Sequence, residues 1–343
     1  MQLEIIKEKV LRSQQYDFLR ENEHLCNNVI LLGLGGSYAY GTNIETSDID
    51  VRGVALNRKQ EILTNENFEQ FINEDTDTTV YSFNKIITLL SNCNPNTVEI
   101  LGLKPEHYLY LSSIGRELLD NKKLFLSKRA VYSFGGYANQ QLRRLSNKAA
   151  RLVGQTENEQ YILKTIQHAK YDFKEKYFEM PDDAINLYTD KAIQKDYDTE
   201  IFMDINLQHY PLRDWKAMWS EMHSIVKSYS KIGKRNEKAI EHGKLGKHMM
   251  HLIRLYMMCL DILENEEIVT CRGKEHDLLM DIRNGKYLDE NRQPIPEFFD
   301  MVDEYEKRLD YAKDNTSLPD NPDYKSINEF VASVNERVVR NEV

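Results

Sequence analysis

The stretch LLGLGGSYAYGTNIETSDIDVRGV, residues 31–54, places a glycine-rich turn and two alternating aspartates within one short segment. Its first part, an aliphatic run ended by glycines, is typical of a buried strand that enters a tight turn. Its last part alternates as a strand does, which puts Asp48 and Asp50 on one face and Ile49 and Val51 on the other. The stretch therefore predicts two strands joined by a glycine turn, with two carboxylates aimed at the same point.

The neighbouring segments extend this pattern into a mixed fold. Apolar residues at helical spacing cover about residues 1–27, DTTVYS at residues 77–82 is a third candidate strand, and FNKIITLLSNC after it has helical spacing. Beyond about residue 104, helical stretches such as WKAMWSEMHSIVKSYSKI dominate. This order predicts an α+β fold, with a catalytic sheet domain at residues 1–115 and a helical C-terminal domain at residues 116–343.

The bulk composition disfavours several classes of protein. The chain has 343 residues and a formal net charge of −10, which disfavours a non-specific DNA or RNA coat because phosphate neutralisation requires surplus lysine and arginine. No apolar run approaches the roughly 20 residues of a bilayer span, and the N-terminal residues lack the apolar core of a signal peptide. The four cysteines lack the paired spacing of a zinc site or a disulfide framework. We expect a cytoplasmic protein.

Two common phosphate-binding motifs do not fit the glycines of the opening stretch. The dinucleotide-binding pattern G-x-G-x-x-G fails because Tyr38 stands where the third glycine belongs. The P-loop pattern has its glycine spacing from Gly36 to Gly41, but Thr42 stands where the phosphate-binding lysine belongs. Neither motif therefore explains the turn.

A third pattern accounts for both the turn and the aspartates. The Gly36–Ser37 turn, followed after ten residues by DIDV at residues 48–51, resembles the active-site signature of the DNA polymerase β-like nucleotidyltransferase superfamily. Two carboxylates at one point repel each other unless a hard, oxygen-seeking cation such as Mg²⁺ or Mn²⁺ neutralises them. The resemblance implies a two-metal mechanism in which Asp48 and Asp50 bind metal while the turn holds the NTP phosphates. Taken alone, D-x-D is also common on the solvent face of an edge strand.

Members of this superfamily usually carry a third acidic residue on the strand beside the D-x-D strand. Asp77, which opens DTTVYS, is the first choice for this metal ligand. Glu99 in NPNTVEIL is the alternative, since it follows a helix rather than lying on the strand. An ordinary acidic loop also explains Asp77, because Glu74 and Asp75 stand beside it. The alternation of side chains along the predicted strand assigns no role in the site to the neighbouring Arg52.

Five segments narrow the resemblance. In chain order they are GGSYAYGTNIETSDIDVRGV, NPNTVEIL, FGGYANQQLRRL, KHMMHLIRLYM and LLMDIRNGK. Together they are similar to the predicted nucleotidyltransferases of the RNA-ligase-associated polymerase β type, found in bacteria and phages, over about residues 30–290. That family implies a compact nucleotidyltransferase fold with a helical C-terminal extension. Its substrates are poorly defined, so the resemblance gives a class of reaction.

The segment KHMMHLIRLYM contains candidate phosphate-binding residues on a predicted helix. His248, His251 and Arg254 are separated by three positions and share a helical face. This face either meets solvent or closes over the nucleotide, with Lys247 or Arg254 neutralising phosphate charge. The basic segments YANQQLRRLSNKAAR and residues 227–247 leave similar alternatives, a solvated surface or contact with a polynucleotide.

The main hypothesis is a magnesium-dependent enzyme that transfers a nucleoside monophosphate from an NTP, with ATP favoured, to a hydroxyl acceptor and releases pyrophosphate. Asp77 would bind the catalytic metal and help to deprotonate the acceptor. The acceptor is an RNA end, a protein side chain or a small molecule; the association with RNA ligases favours RNA, and the acidic balance favours a non-nucleic acceptor. The alternatives are a catalytically silent nucleotide sensor and a small-molecule nucleotidyltransferase of the antibiotic-modifying kind.

Overall fold

The computed structural model describes residues 3–135, 184–191, 199–229, 244–290 and 294–343, together with residues 138, 163, 181 and 193. The chain groups into two units. The first consists of residues 1–141, 247–287 and 296–343, and the second of residues 142–246 and 288–295. Nearly all of the predicted basic helix YANQQLRRLSNKAAR, and most of the basic segment 227–247, lie outside the described residues.

A five-stranded sheet forms the centre of the first unit. Its strands are β1 (Val29–Leu34), β2 (Val51–Ala55), β3 (Gln70–Asn73), β4 (Thr78–Ser82) and β5 (Tyr108–Leu111). Their order across the sheet is β3-β4-β2-β1-β5. Neighbouring strands are antiparallel except β2 and β4, which run parallel. This parallel pair decides where the candidate site forms.

Helices flank the sheet and follow it. In the N-terminal part they are α1 (Leu3–Arg12), α2 (Phe18–Glu21), α3 (Gly36–Ala39), α4 (Lys59–Leu63), α5 (Phe83–Ser91), α6 (Pro95–Val98) and α7 (Ser113–Asp120). Further along the chain they are α8 (Leu212–Tyr229), α9 (Lys244–Leu260), α10 (His276–Arg283), α11 (Pro296–Asn315) and α12 (Tyr324–Val339). Short 3-10 helices cover Gln14–Tyr16, Glu99–Gly102, Pro105–His107 and Lys122–Phe125, and one π-helical turn covers Asp261–Asn265.

The core of the first unit follows from apolar spacing. Leu32 and Leu34, which alternate along β1, pack in one cluster with Ile6 and Val10 of α1. Helix α5 begins where the side chain of Ser82 accepts a hydrogen bond from the backbone N–H three residues later, the usual arrangement of a helix N-cap. These contacts confirm the predicted α+β class, in which a sheet region with helices precedes a largely helical region.

Three predicted elements differ in extent. The N-terminal helix ends at Arg12, because Ser13 adopts an extended backbone and the chain continues in a 3-10 turn. Strand β2 begins at Val51, after the aspartates rather than through them. The helical second part also contains a hairpin in the second unit, β6 (Ile185–Lys191) paired with β7 (Thr199–Ile205), whose Ile185 packs against methionines of α8. Among the described residues, no helix is both long enough and apolar enough to span a membrane.

Candidate active site

Asp50 and Asp77 immediately precede two strands that begin side by side. Strands β2 and β4 are parallel, and their first residues, Val51 and Thr78, are paired in register. The N–H of Val51 donates a hydrogen bond of 3.1 Å to the carbonyl of Asp77, which holds the starts of the two strands together. The carboxyl groups of Asp50 and Asp77 lie close enough for each to shift the pKa of the other. A pairing across 27 residues of sequence therefore creates the carboxylate pair.

The glycine turn follows β1 and lies at the same end of the sheet as the first residues of β2 and β4. The N–H of Gly35 donates to the carbonyl of Asp50 over 2.8 Å. Gly36 opens α3 with a φ of +53°, a left-handed conformation that favours glycine, and a Cβ there would overlap Oδ2 of Asp50. Ser37 is buried in the first turn of α3, where backbone N–H groups have no carbonyl partner within the helix. Glycine thus lets the turn approach Asp50 closely, with the backbone N–H donors of the turn beside the carboxyl group.

The two carboxyl groups differ in protonation. Burial raises the pKa of Asp50 to about 7, and the hydrogen bond and negative charge of Asp77 add to this rise, while Arg52 and Lys247 oppose it. Asp77 is exposed, and its pKa is lowered by the hydrogen bond from Asp50 and by the charge of Arg52. Of the two carboxyl groups, Asp50 is therefore the one that keeps a proton to higher pH.

Arg52 is a site residue that the sequence pattern missed. Its Nη1 donates to the carbonyl of Asp77 over 2.7 Å, and its Nη2 lies 3.2 Å from Oδ1 of Asp77 and 4.0 Å from Oδ1 of Asp50. Asp77 has a φ of +44°, which is unusual for a residue with a side chain, and these contacts hold it there. An arginine two residues after Asp50 was the available signal, but its partner is known only once the β2–β4 register is known.

The chemistry of the donors suits a hard divalent cation, because two carboxylates lie close together and carboxylate oxygens are the ligands that such a cation prefers. In the structure, Arg52 supplies the positive charge beside Asp77. Asp48 is exposed two residues before Asp50. Within the part of the chain that the structure describes, no group of three or more His, Cys, Asp or Glu side chains lies close enough together to hold a metal ion. The carboxylates that the fold brings together are thus Asp50 and Asp77.

An open cleft of about 390 Å³ borders the carboxylate pair. Asp48 and Asp77 both line it, so it lies beside the end of the sheet at which β2 and β4 begin. Glu74 and Asp75 add two more carboxylates to its wall, and Lys9 contributes a single basic side chain. The cleft is therefore acidic and accessible to a ligand that approaches Asp77.

Glu99, the alternative third carboxylate, lies in a different cluster. It is buried, and the hydroxyl of Tyr40 donates to its Oε2 over 2.5 Å. The guanidinium carbon of Arg254 lies 3.3 Å from the centre of the Tyr40 ring, a close cation–π contact. Burial raises the pKa of Glu99, and the charge of Arg254 opposes this rise. The fold thus joins Asp77, and not Glu99, to Asp50.

Helix α9 carries the remaining predicted residues. Lys247 is exposed near its start, and its charge lowers the pKa of both Asp50 and Asp77. His248 and His251 are half-buried, whereas Arg254 is buried and its Nη2 lies 2.8 Å from Nδ1 of His251. The helix predicted from the spacing therefore exists. Lys247 acts electrostatically on both carboxyl groups, whereas Arg254 packs against the ring of Tyr40.

His251 gives a prediction for pH. Burial lowers its pKa to about 3, and the charge of Arg254 contributes. In the unfolded chain His251 binds a proton below about pH 6.5, whereas in the folded chain it stays neutral down to about pH 3. The free energy of unfolding therefore falls as pH falls from about 6.5 towards 3. Between pH 7 and pH 5, we expect the wild type to lose roughly 1–2 kcal/mol more unfolding free energy than His251→Asn, in urea titrations. Equal losses in the two proteins would contradict this assignment.

Comparison with known proteins agrees with the geometry. Residues 8–170 match the family model described as RlaP: RNA repair pathway DNA polymerase beta family. No curated protein and no solved structure matches the chain. The matched range contains the Gly36–Ser37 turn, the Asp48–Asp50 segment and Asp77, and thus both sides of the carboxylate pair. Over residues 8–170, slightly less than half of its length, the chain is thus similar to the RNA repair pathway DNA polymerase beta family.

Proposed function

We propose that this protein transfers a nucleoside monophosphate from an NTP, with ATP the favoured donor, to a hydroxyl acceptor and releases pyrophosphate. The observation that carries the proposal is the pairing of Asp50 with Asp77 beside Gly36, at the ends of three strands. The match of residues 8–170 to the RNA repair pathway DNA polymerase beta family supports the same class of reaction. The catalytic groups then lie within residues 1–115, the catalytic domain expected from the sequence.

Asp50 and Asp77, together with the exposed Asp48, would hold Mg²⁺ or Mn²⁺. When bound, the metal would supply positive charge to the NTP phosphates and lower the pKa of the acceptor hydroxyl. Asp50 must first release its proton. Its raised pKa, about 7, makes this release possible near neutral pH. Arg52 holds the backbone of Asp77 while the side chains exchange partners.

The remaining residues bind the donor and direct the transfer. The backbone N–H groups of Gly36 and Ser37, with the serine hydroxyl, would bind the terminal phosphates, and Lys247 on α9 would neutralise their charge. The acceptor oxygen would bond to the α-phosphorus as the bond to the β-phosphate oxygen breaks. The hydroxyl proton would pass to the carboxylate of Asp77, which lines the open cleft, and pyrophosphate would leave. His248, which is half-buried and follows Lys247 in sequence, would be the histidine nearer to the nucleotide, whereas His251 and Arg254 would support this part of α9 from within the fold.

We assign an RNA end as the acceptor. The family that matches residues 8–170 is described by its place in an RNA repair pathway, and this description favours RNA over a protein side chain. Because the net charge is −10, overall electrostatic attraction does not favour RNA binding. RNA binding then depends on individual basic side chains near the site. Lys247 beside the carboxylates is one such local cation.

The acidic cleft favours a second candidate function. Asp48, Glu74, Asp75 and Asp77 line the space from which an acceptor approaches, with Lys9 as the basic side chain among its lining residues. Such a wall repels phosphate and attracts a cationic hydroxyl compound, the kind of acceptor that antibiotic-modifying nucleotidyltransferases use. The cleft therefore supports a small-molecule acceptor in place of RNA.

Transfer of label separates these functions. The purified protein is incubated with each of the four α-labelled NTPs and Mg²⁺ or Mn²⁺, and then with RNA, protein or cationic small molecules. We expect label to enter RNA from ATP, and to be absent with an Asp48→Ala/Asp50→Ala control. Label in the cationic compounds alone would favour the second candidate. If the wild type binds NTP but moves no label, the protein is a silent nucleotide sensor and the proposed function is wrong.

A further inference from the structure

Helix α10 holds the loop that follows the glycine–serine turn. Nε2 of His276 lies 3.1 Å from the carbonyl oxygen of Gly41, and Nη1 of Arg283 donates to the carbonyl of Thr42 over 2.5 Å. The two side chains are seven positions apart, close to two full turns, so they lie on the same face of α10. Two adjacent carbonyls of one loop are thus held from one helix, more than 230 residues further along the chain.

The same loop is hydrogen-bonded back to the turn. The N–H of Thr42 donates to the carbonyl of Ser37 over 2.9 Å, and the N–H of Gly41 donates to the carbonyl of Tyr38 over 3.2 Å. Arg283 is therefore linked to Ser37 through the backbone of one residue, Thr42. A shift of this loop would be transmitted directly to the backbone that faces Asp50.

The loop has little freedom to adopt another position. Gly41 has a φ of +68°, and a Cβ there would lie 2.9 Å from Sγ of Cys271. Thr42 is completely buried. Among the described residues, no carboxylate lies within 4.0 Å of the guanidinium nitrogens of Arg283, whereas most of the partly buried arginines of this unit pair with acids. The charge of Arg283 is thus directed to a backbone carbonyl.

We propose that Arg283, assisted by His276, is a positioning residue for NTP binding. By holding the carbonyls of Gly41 and Thr42, α10 fixes the Gly36–Ser37 turn in the conformation that binds the triphosphate. This inference rests on the proposed function, because it takes that turn as the phosphate-binding element. It extends the nucleotide site to residues 276–283, beyond the matched range 8–170.

The test compares Arg283→Met with a matched control. Arg337→Met removes an arginine that pairs with both oxygens of Glu117, at 2.8 and 2.7 Å, and is outside the candidate site. Binding of the non-hydrolysable analogue α,β-methylene-ATP with Mg²⁺ is measured by calorimetry, and KM and kcat are measured for label transfer. We expect Arg283→Met to raise Kd and KM about tenfold and to change kcat less than about twofold. The control should lower Tm without changing Kd.

Two further variants separate positioning from general stability. Arg283→Lys keeps one donor for the single carbonyl, so we expect its Kd to stay within about threefold of the wild type. His276→Leu, on a partly exposed side chain, should raise Kd in the same direction as Arg283→Met and supplies the measurement if that variant does not fold. An unchanged Kd in a folded Arg283→Met or His276→Leu protein would overturn the proposal.

The outcomes also distinguish this inference from the proposed function. If the wild type binds the analogue but transfers no label, the proposed function fails, and the effect of Arg283→Met on Kd still decides the inference. If the wild type transfers label and the variants keep its KM, the inference alone fails. If the wild type does not bind the analogue, both fail.

Discussion

Replacing Asp50 by asparagine is expected to lower kcat/KM for nucleotidyl transfer by about a thousandfold or more. The amide removes a negative charge from the point where Asp50 and Asp77 meet, so metal and triphosphate lose a carboxylate ligand. The same change should stabilise the fold. Burial raises the pKa of Asp50 to about 7, whereas the unfolded chain ionises this group near 3.9, so the folded protein loses stability as pH rises between these values.

Two measurements together check this prediction. Transfer is assayed with Mg²⁺, and Tm is measured in EDTA at pH 5 and pH 8, where we expect Asp50→Asn to exceed the wild type by about 1–3 °C at pH 8 and by less at pH 5. Glu74→Gln is the matched control, since it also replaces a carboxylate by an amide, on an exposed acid of the cleft that Asp77 lines. Full activity in Asp50→Asn, or a thousandfold loss in the control, would contradict the assignment.

Asp77→Asn and Glu99→Gln are expected to act on different properties. Asp77 faces Asp50 and the open cleft, so its replacement should lower kcat by about a hundredfold and leave Tm nearly unchanged. Glu99 is buried and accepts a hydrogen bond from Tyr40, so its replacement places amide N–H donors where a buried carboxyl oxygen stood. Leaving such donors without acceptors should cost about 1–3 kcal/mol of unfolding free energy. The folded fraction of Glu99→Gln should keep most of its kcat.

Label transfer and urea unfolding on the same two preparations decide which acid is third. The expected pattern is a crossed one, in which each variant changes the property that the other leaves intact. If Glu99→Gln loses activity a hundredfold at full stability while Asp77→Asn transfers normally, the assignment of the third carboxylate must be reversed. Equal losses of activity from both variants would leave Asp77 without support.

The local half of the site can be predicted from the sequence. Gly36 follows β1 and Asp50 precedes β2, only fourteen residues later, so the glycine turn and the D-x-D pattern are visible together in the sequence. The α+β class is confirmed because β1, β4 and α5 have strong periodic patterns of their own. The predicted family resemblance agrees with the match over residues 8–170. The assignments of Asp48, Asp50 and Asp77 to catalysis stay predictions.

The rest depends on contacts that no local pattern carries. Arg52 meets Asp77 because β2 and β4 are paired in parallel, and alternation along β2 alone gives no indication of this partner. Arg283 meets Thr42 across 241 positions of sequence. Strands β3 and β5 lie at the two edges of the sheet, where one side has no neighbouring strand and the demand for an alternating apolar pattern is weaker.

The arrangement of the first unit has a consequence for synthesis of the chain. Its carboxylate pair lies in the first of three stretches, residues 1–141, whereas Lys247 opens the second. At roughly 5–20 residues per second, the 170 residues from Asp77 to Lys247 take roughly 10–30 s to emerge from the ribosome. The sheet is therefore synthesised well before Lys247, and longer still before α10. Chains released before this point would carry the aspartates without a complete nucleotide site, so only finished molecules would consume NTP.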